Sequence, residues 1–106
     1  MRILLTGATG YVGGRLLKAL EARGCQVRCL ARRPANLEAR VGAGTEVVAG
    51  DVNDPASLMR AMVGIDAAYY LVHSMGEASG FERHEAEGAS HFAAAARAAG
   101  VQRLIY

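Results

Sequence analysis

The 106 residues are 52% hydrophobic and 21% charged, a composition that describes one globular domain over residues 1–106. Twelve basic and ten acidic residues are mixed along the chain, and the net charge of +2 forms no basic stripe, which argues against nucleic acid as a partner. The apolar runs are shorter than the ~20 residues of a membrane span, and the first is too short for a signal peptide. We therefore expect a cytoplasmic protein without a membrane partner.

Predicted strands and helices alternate along the whole chain. Apolar periodicity and turn residues predict strands over residues 2–5, 25–31, 46–49, 65–72 and 101–106. Helices are predicted over residues 11–23, from the loop at 32–34 to about residue 41, from 54 to before 64, and over 81–99 after the loop 73–80. Such alternation implies parallel strands joined by right-handed crossovers. We expect an α/β, doubly wound parallel sheet with strand order 3-2-1-4-5.

Helical periodicity also predicts which residues are buried. For the first helix these are Val12, Leu16, Ala19 and Leu20; for the helix after the third strand, Leu58, Met59 and Met62; for the last helix, Phe81, His84 or Glu85, Gly88, Phe92, Ala95 and Ala99. Asp54 followed by Pro55 is typical of a helix start, with the acid as N-cap. Glycines at positions 24, 64 and 100 are predicted to end helices.

The predicted fifth strand has no helix after it within these residues. Because a buried strand needs a covering element, we expect the sheet to be truncated and the chain to be an N-terminal part of a longer protein. An uncovered strand edge is also a pairing template, so we expect self-association through this strand.

Neither the cysteines nor the histidines predict a metal site. Cys25 and Cys29 fall in one predicted strand with Cα atoms ~13 Å apart, too far for a disulfide, and are expected to be reduced thiols in or near the core. His84 and His91 share one helix face without a third ligand nearby, which indicates surface or interface residues.

The strongest motif lies where the first strand meets the first helix and reads Thr-Gly-Ala-Thr-Gly-Tyr-Val-Gly, from Thr6 to Gly13. One glycine lets the chain turn, a second lets the backbone approach a pyrophosphate, and a third lets the helix pack on the strand. The free N–H groups of the helix start then face the phosphates. The predicted dinucleotide-binding residues of this motif are Gly7, Thr9, Gly10, Tyr11, Val12 and Gly13. A plain structural turn is the alternative.

The glycine spacing, with two residues between each pair, resembles the extended or atypical branch of the short-chain dehydrogenase/reductase superfamily. Within it, the chain is most similar to NAD-dependent epimerase/dehydratase and NmrA-like NAD(P)H-binding proteins. The resemblance covers essentially the whole chain and implies a Rossmann-type fold. It also implies that Asp51 and Val52, after the third strand, contact adenine, and that residues 71–75 line the nicotinamide half of the cofactor.

Arginines occupy the position that would decide between NAD and NADP. An acid about 20 residues past the glycines binds the ribose 2′-OH of NAD, whereas Arg32 stands nineteen residues after Gly13, followed by Arg33. A guanidinium grips a 2′-phosphate bidentately, so the pair favours NADP over NAD. The alternative is a solvated surface pair before Pro34.

Three further residues are candidates for the same crevice. A carboxylate at Asp51 would face the crevice at the end of the third strand, although it could instead cap a turn, a role that suits Asp54 better. His73 and Ser74 follow the fourth strand beside the switch point, where they would border the nicotinamide or ribose, or be plain loop residues.

Catalytic residues are not found in this chain. The superfamily's usual donor is a tyrosine followed four residues later by a lysine, but the only lysine is Lys18, four residues after Gly14. We expect the dinucleotide-binding part of an NAD(P)-dependent oxidoreductase or epimerase/dehydratase, not catalytically competent by itself, whose parent acts on a small-molecule substrate. The alternative is an NmrA-like protein that senses NADP(H) without turnover.

Overall fold

A computed structural model of the chain describes residues 1–71 and 78–105, and in residues 78–87 it describes the helical backbone alone. Its strands are β1 (Arg2–Thr6), β2 (Gln26–Ala31), β3 (Glu46–Ala49), β4 (Ala67–Tyr70) and β5 (Arg103–Ile105). Its helices are α1 (Tyr11–Ala22), α2 (Ala35–Glu38), α3 (Pro55–Ala61) and α4 (Ala78–Ala99). The strands form one sheet of order β3-β2-β1-β4-β5 with every pairing parallel, which confirms the predicted order.

Strand β1 lies at the centre of the sheet and faces both layers of helices. Leu4 belongs to one apolar cluster with residues of α3 and α4, while Ile3 and Leu5 belong to a second cluster with residues of α1 and α2. All three side chains are at most 3% exposed. Since side chains alternate along a strand, each face of the sheet buries its own core, as expected for a doubly wound fold.

The buried stripe of α1 differs from the predicted one. Gly13, Leu17 and Leu20 are buried, whereas Val12 is 58% exposed and Ala19 is exposed, so the prediction for these two residues was wrong. The stripe begins at a glycine, which carries no hydropathy signal, and this shifts the true face by one residue from the predicted one.

The other helix faces agree better with the prediction. In α3, Leu58 and Met62 are fully buried, but Met59 is 39% exposed and was wrongly placed inside. In α4, the described part of the predicted face is buried at Gly88, Phe92 and Ala95, with Ala99 half-buried.

Element boundaries shift by up to a few residues. Helix α4 begins at Ala78, so residues 78–80 are helical rather than loop; Gly80, which suggested the boundary, costs only about 1 kcal/mol in a helix. Helix α2 ends at Glu38, short of residue 41, and strand β4 covers 67–70 of the predicted 65–72. No helix of the described ranges 1–71 and 78–105 is long and apolar enough to cross a membrane.

Arg28 ties β2 to the end of α3. Its Nη1 donates to the carbonyl oxygens of Ala61 and Val63 at 2.7 and 2.8 Å, and its Nε lies 2.7 Å from Oε1 of Glu46. The guanidinium therefore satisfies carbonyls that the end of the helix leaves without intrahelical partners.

Glu21 ties the end of α1 to the turn before β3. Its Oε2 accepts hydrogen bonds from the Gly42 N–H at 2.7 Å and from the Thr45 hydroxyl, and Lys18 lies 3.7 Å from its Oε1. Burial alone would raise the pKa of Glu21, but these two hydrogen bonds and the Lys18 charge together lower it below its usual 4.5.

The two cysteines are free thiols, as predicted. Cys29 is fully buried on β2, and this burial raises the pKa of its thiol to about 11. Cys25 is half-buried just before β2.

Candidate functional site

The loop between β1 and α1 turns sharply at the carboxyl end of the sheet. Gly7 has φ of +104°, a left-handed conformation that side chains other than glycine rarely adopt. The Gly10 N–H donates to the Gly7 carbonyl at 3.1 Å, which closes the turn, and Gly10 then serves as N-cap of α1. Within this loop Thr9 and Gly10 are exposed.

Two glycines of the motif differ sharply in their surroundings. A Cβ atom on Gly13 would lie 2.0 Å from the Gly7 carbonyl oxygen and 2.7 Å from its carbon, so only glycine lets α1 pack against the turn. A Cβ on Gly10 would lie 3.4 Å from the same oxygen, an ordinary contact, and Gly10 has φ of −78° and ψ of 170°. The protein alone therefore requires glycine at position 13 and leaves open space at position 10.

The first turn of α1 presents an exposed, electropositive end. Tyr11 and Val12 are 77% and 58% exposed, and the turn contains no acidic residue. Arg15 donates from Nη1 to the Tyr11 hydroxyl at 2.8 Å, and its guanidinium carbon lies 5.5 Å from the centre of the Tyr11 ring. Unpaired N–H groups, the helix dipole and this cation together favour an anion in front of the helix.

Arg32 and Arg33 follow the neighbouring strand β2 at the same edge of the sheet. Both are exposed, and neither guanidinium forms an ion pair with the side chains that the structure describes, those of residues 1–71 and 88–105. Because β2 pairs in register with β1, with Thr6 opposite Leu30, the two arginines leave the sheet beside the glycine turn. They are therefore free to meet a ligand bound at that turn.

Asp51 lies in the loop after β3, where its carboxylate closes a turn. Its Oδ1 accepts a hydrogen bond from the Asn53 N–H at 2.9 Å, and its own N–H donates to the Ser57 hydroxyl at 3.0 Å. Asp54 occupies the N-cap of α3, which confirms the predicted helix start, but its side chain makes no capping hydrogen bond; the carboxylate that closes the turn is that of Asp51.

Helix α4 fixes the next residue of that loop. Val52 packs half-buried against the core cluster beneath α3 and α4, and its carbonyl oxygen lies 2.9 Å from Nδ1 of His91. His91 is thus half-buried and hydrogen-bonded to Val52 where α4 meets this loop, which fits the interface alternative of the prediction. The available signal was its position three residues after Gly88, on the side of α4 that packs inward.

Two of the predicted site residues fall in the part of the chain that the structure does not describe. His73 and Ser74 are not among the described residues. Thr6, the first residue of the motif, was not predicted to bind the ligand. It is 4% exposed at the end of β1, and among the described residues its hydroxyl has no hydrogen-bond partner.

The site thus combines a glycine turn, a helix N-terminus and the ends of β2 and β3, beside the point where the strand order reverses from β1 to β4. This arrangement defines a dinucleotide-binding domain. The chain belongs to the NAD(P)H-binding family, whose model matches residues 7–106.

Several curated relatives are named as reductases or dehydrogenases, and one, from Methylococcus capsulatus, is named sterol demethylase protein B. The chain is 43% identical over 103 residues to (4-alkanoyl-5-oxo-2,5-dihydrofuran-3-yl)methyl phosphate reductase of Streptomyces griseus subsp. griseus, a match that covers 97% of this chain and 33% of the reductase. The chain spans about a third of the length of the curated relatives it matches.

Solved structures confirm the fold and the resemblance to short-chain dehydrogenases/reductases. Triphenylmethane reductase of Citrobacter sp., complexed with NADP(H), matches with a TM-score of 0.82 and 28% identity over 98% of this chain and 36% of that one. A short-chain dehydrogenase/reductase superfamily protein from Agrobacterium tumefaciens with bound NAD matches with a TM-score of 0.79 and 32% identity, over 98% of this chain and 31% of that one. A nicotinamide dinucleotide is therefore the ligand class of the family, and the neighbours include both forms of it.

Proposed function

We propose that this chain is the cofactor-binding part of an NAD(P)-dependent oxidoreductase and that it prefers NADP. The observation that carries the proposal is the contrast within the glycine turn. Glycine is required at position 13 by the packing of α1 on the turn, whereas at position 10 the protein itself leaves room for a side chain. A glycine that the free protein does not need, at an exposed helix start, is explained by a ligand that approaches the backbone there.

The pyrophosphate would lie in front of α1. The exposed N–H groups of the first turn would donate to its oxygens, and the helix dipole would stabilise their charge. The residues proposed to surround it are Gly7, Thr9, Gly10, Tyr11, Val12 and Gly13. Arg15, held against Tyr11, adds a positive charge at the same end of the helix.

The adenine would lie over the loop after β3. Asp51 uses one carboxylate oxygen, Oδ1, to close its turn, which leaves Oδ2 to accept a hydrogen bond from the adenine amino group. Val52 offers the neighbouring apolar contact. By the family resemblance, His73 and Ser74 are proposed to border the nicotinamide half.

The 2′-phosphate would be bound by Arg32, with Arg33 beside it. Both side chains are exposed and unpaired within the described residues, at the sheet edge next to the glycine turn. A guanidinium there stabilises a phosphate through charge-assisted hydrogen bonds and offers no acceptor for the ribose 2′-OH of NAD.

The nicotinamide would supply hydride transfer, and these residues would bind and orient it. The names of several relatives, among them a ketoreductase and a 3-beta-hydroxysteroid dehydrogenase, support an oxidoreductase, whereas the epimerase/dehydratase alternative comes from the family resemblance alone. The single lysine of the chain, Lys18, sits on α1 and donates to the Arg40 carbonyl, so it has a structural contact of its own. The second candidate, which comes from the NmrA-like resemblance, is a protein that senses NADP(H) without turnover.

The cofactor preference is tested by titrating NADP and NAD into wild type and Arg32→Ala by calorimetry, in the natural protein that carries this sequence. Loss of charge-assisted hydrogen bonds worth roughly 1.5–3 kcal/mol should weaken NADP about ten- to a hundredfold. NAD affinity should change little. Arg23→Ala, which removes an exposed arginine at the end of α1, is the control for net charge.

Each other result has a defined meaning. Equal weakening of both cofactors would assign Arg32 to folding or to the shared adenosine, and unchanged affinities would make the pair a solvated surface feature. Wild type that binds neither cofactor would refute the proposal as a whole. Oxidation of NADPH with a carbonyl substrate would favour the enzyme, and tight binding without turnover across such substrates would favour the sensor.

A further inference from the structure

Helix α4 contacts the proposed adenine loop at two positions one turn apart. A Cβ atom on Gly88 would lie 3.0 Å from Cγ2 of Val52 and 2.7 Å from the Tyr70 hydroxyl oxygen, so the helix backbone approaches the loop closely there. Three residues later, Nδ1 of His91 lies 2.9 Å from the Val52 carbonyl oxygen. Because a carbonyl only accepts, Nδ1 must carry the proton in this hydrogen bond.

This hydrogen bond acts on one peptide group that is held at both ends. The Val52 carbonyl accepts from His91, and the N–H of the same peptide group, which belongs to Asn53, donates to Oδ1 of Asp51 at 2.9 Å. A peptide group is planar, so fixing its carbonyl also fixes the direction of its N–H. The His91 ring is therefore linked through a single rigid group to the carboxylate of Asp51.

The rest of the loop is anchored by different groups. The Ser57 hydroxyl accepts from the Asp51 N–H at 3.0 Å and shares its proton between the carbonyl oxygens of Asp54 at 2.8 Å and Asp51 at 3.1 Å. The Gly50 N–H donates to the Ala31 carbonyl at 3.0 Å. Together with the Asp54 N–H, which donates to the Asp51 carbonyl at 2.9 Å, these bonds fix the backbone around Asp51. Among the described residues, His91 is the one side chain from outside the loop that bonds the Val52–Asn53 peptide group, whose N–H in turn donates to Oδ1 of Asp51.

We propose that His91 is a positioning residue for the adenine end of the cofactor. It holds the Val52–Asn53 peptide group so that Oδ1 of Asp51 is occupied and Oδ2 is turned toward the ligand. The inference rests on the proposed function, since it places adenine at Asp51. Unlike Arg32, which would act on the 2′-phosphate alone, His91 would affect NADP and NAD equally, because both carry the same adenine.

The test compares His91→Leu with His91→Asn in the natural protein that carries this sequence. Leucine removes the donor, whereas the side-chain N–H of asparagine occupies nearly the place of Nδ1 and restores it. Loss of one neutral hydrogen bond should weaken NADP and NAD by the same factor, about three- to tenfold, in His91→Leu. His91→Asn should bind both within twofold of wild type. Urea unfolding of each variant reports its folding stability.

A measurement on the free protein accompanies the titrations. The ¹⁵N chemical shifts of the His91 ring in wild type should report a protonated Nδ1, and amide exchange of Asn53 should be faster in His91→Leu than in wild type or His91→Asn. Neither measurement needs bound cofactor or turnover. The ring shifts are measured on wild type, so they remain informative even if a variant fails to fold.

The outcomes separate the inference from the proposed function. Wild type that binds cofactor while His91→Leu binds equally well overturns the positioning role and leaves the proposed function intact. A neutral ring protonated on Nε2, or a loss of affinity that follows the loss of folding stability and is not restored by asparagine, also overturns it. Wild type that binds no dinucleotide refutes the proposed function and the positioning role with it.

Discussion

Alanine substitutions at two glycines of the β1–α1 loop should have opposite consequences. At Gly13 the added Cβ would lie 2.0 Å from the Gly7 carbonyl oxygen, so either the turn or α1 must move. At Gly10 the added Cβ would lie 3.4 Å from that oxygen, with φ and ψ of −78° and 170° that any residue adopts. We expect Gly13→Ala to impair folding and Gly10→Ala to impair binding.

The magnitudes follow from these distances. Overpacking a close contact costs typically 1–3 kcal/mol, and the 2.0 Å contact of Gly13→Ala with backbone belongs at the upper end of that range. A loss of about 3 kcal/mol lowers the Tm of a domain of this size by about 12–24 °C. For Gly10→Ala, a poorer N-cap and a less flexible unfolded chain each contribute about 0.5–1 kcal/mol with opposite signs, so stability should change by less than about 1 kcal/mol.

The binding side is measured by calorimetry with NADP and NAD. A methyl group at position 10 occupies the space where the pyrophosphate would approach the backbone, and the loss of one charge-assisted hydrogen bond weakens binding about tenfold or more. The larger side chain of Gly10→Val should abolish binding, while its thermal transition stays near that of wild type. Both cofactors should be affected alike, because both contain the pyrophosphate.

Two results would refute this reasoning. Unchanged affinity in a folded Gly10→Val protein would show that no phosphate approaches this backbone. A Gly13→Ala protein as stable as wild type would show that the close packing of α1 on the Gly7 turn is not required.

Two further predictions concern the contacts that hold the layers together. Arg28→Met keeps the aliphatic stem but removes the donors to the Ala61 and Val63 carbonyls, so the free energy of unfolding in urea should fall by about 1–3 kcal/mol. The control Glu46→Gln alters only the exposed partner of Arg28 and should cost under about 1 kcal/mol. Equal losses in the two variants would contradict this assignment. Glu21 has a pKa below 4.5 in the folded protein, so the stability that its ionised form contributes is present above pH 4.5 and is lost as pH falls through the lower folded pKa. In urea titrations, the difference in unfolding free energy between wild type and Glu21→Gln should therefore shrink as the pH falls through that range. A difference independent of pH would contradict the role of the carboxylate.

The parts of the fold that depend on local pattern were predictable from sequence. The alternation of apolar runs and glycine stops gave the element order, and parallel pairing follows from it because a helix joins each strand to the next. The steric demand at Gly7 and Gly13 was predictable because turn and close packing leave a direct signature in glycine spacing.

What escaped prediction depends on contacts distant in sequence or on residues without hydropathy. The stripe of α1 starts at Gly13, which a hydrophobic period cannot detect, and so Val12 was placed inside. The carboxylate of Asp51 closes a turn although Asp54 beside Pro55 has the stronger local cap signature. His91 bonds to a carbonyl 39 residues away; its position three residues after Gly88 indicates the inward side of α4 but does not identify this partner.

The two apolar clusters on opposite faces of the sheet have a consequence for cooperativity. The glycine turn feeds α1, which covers one cluster, whereas the loop with Asp51 and Val52 is held by α3 and α4, which cover the other. A dinucleotide bound as proposed would contact both loops, so local unfolding of either layer of helices would cost the free energy of binding as well. Partial unfolding of the two helix layers, which is independent in the free protein, would then become one cooperative transition when the ligand is bound, because the ligand contacts loops held by both layers.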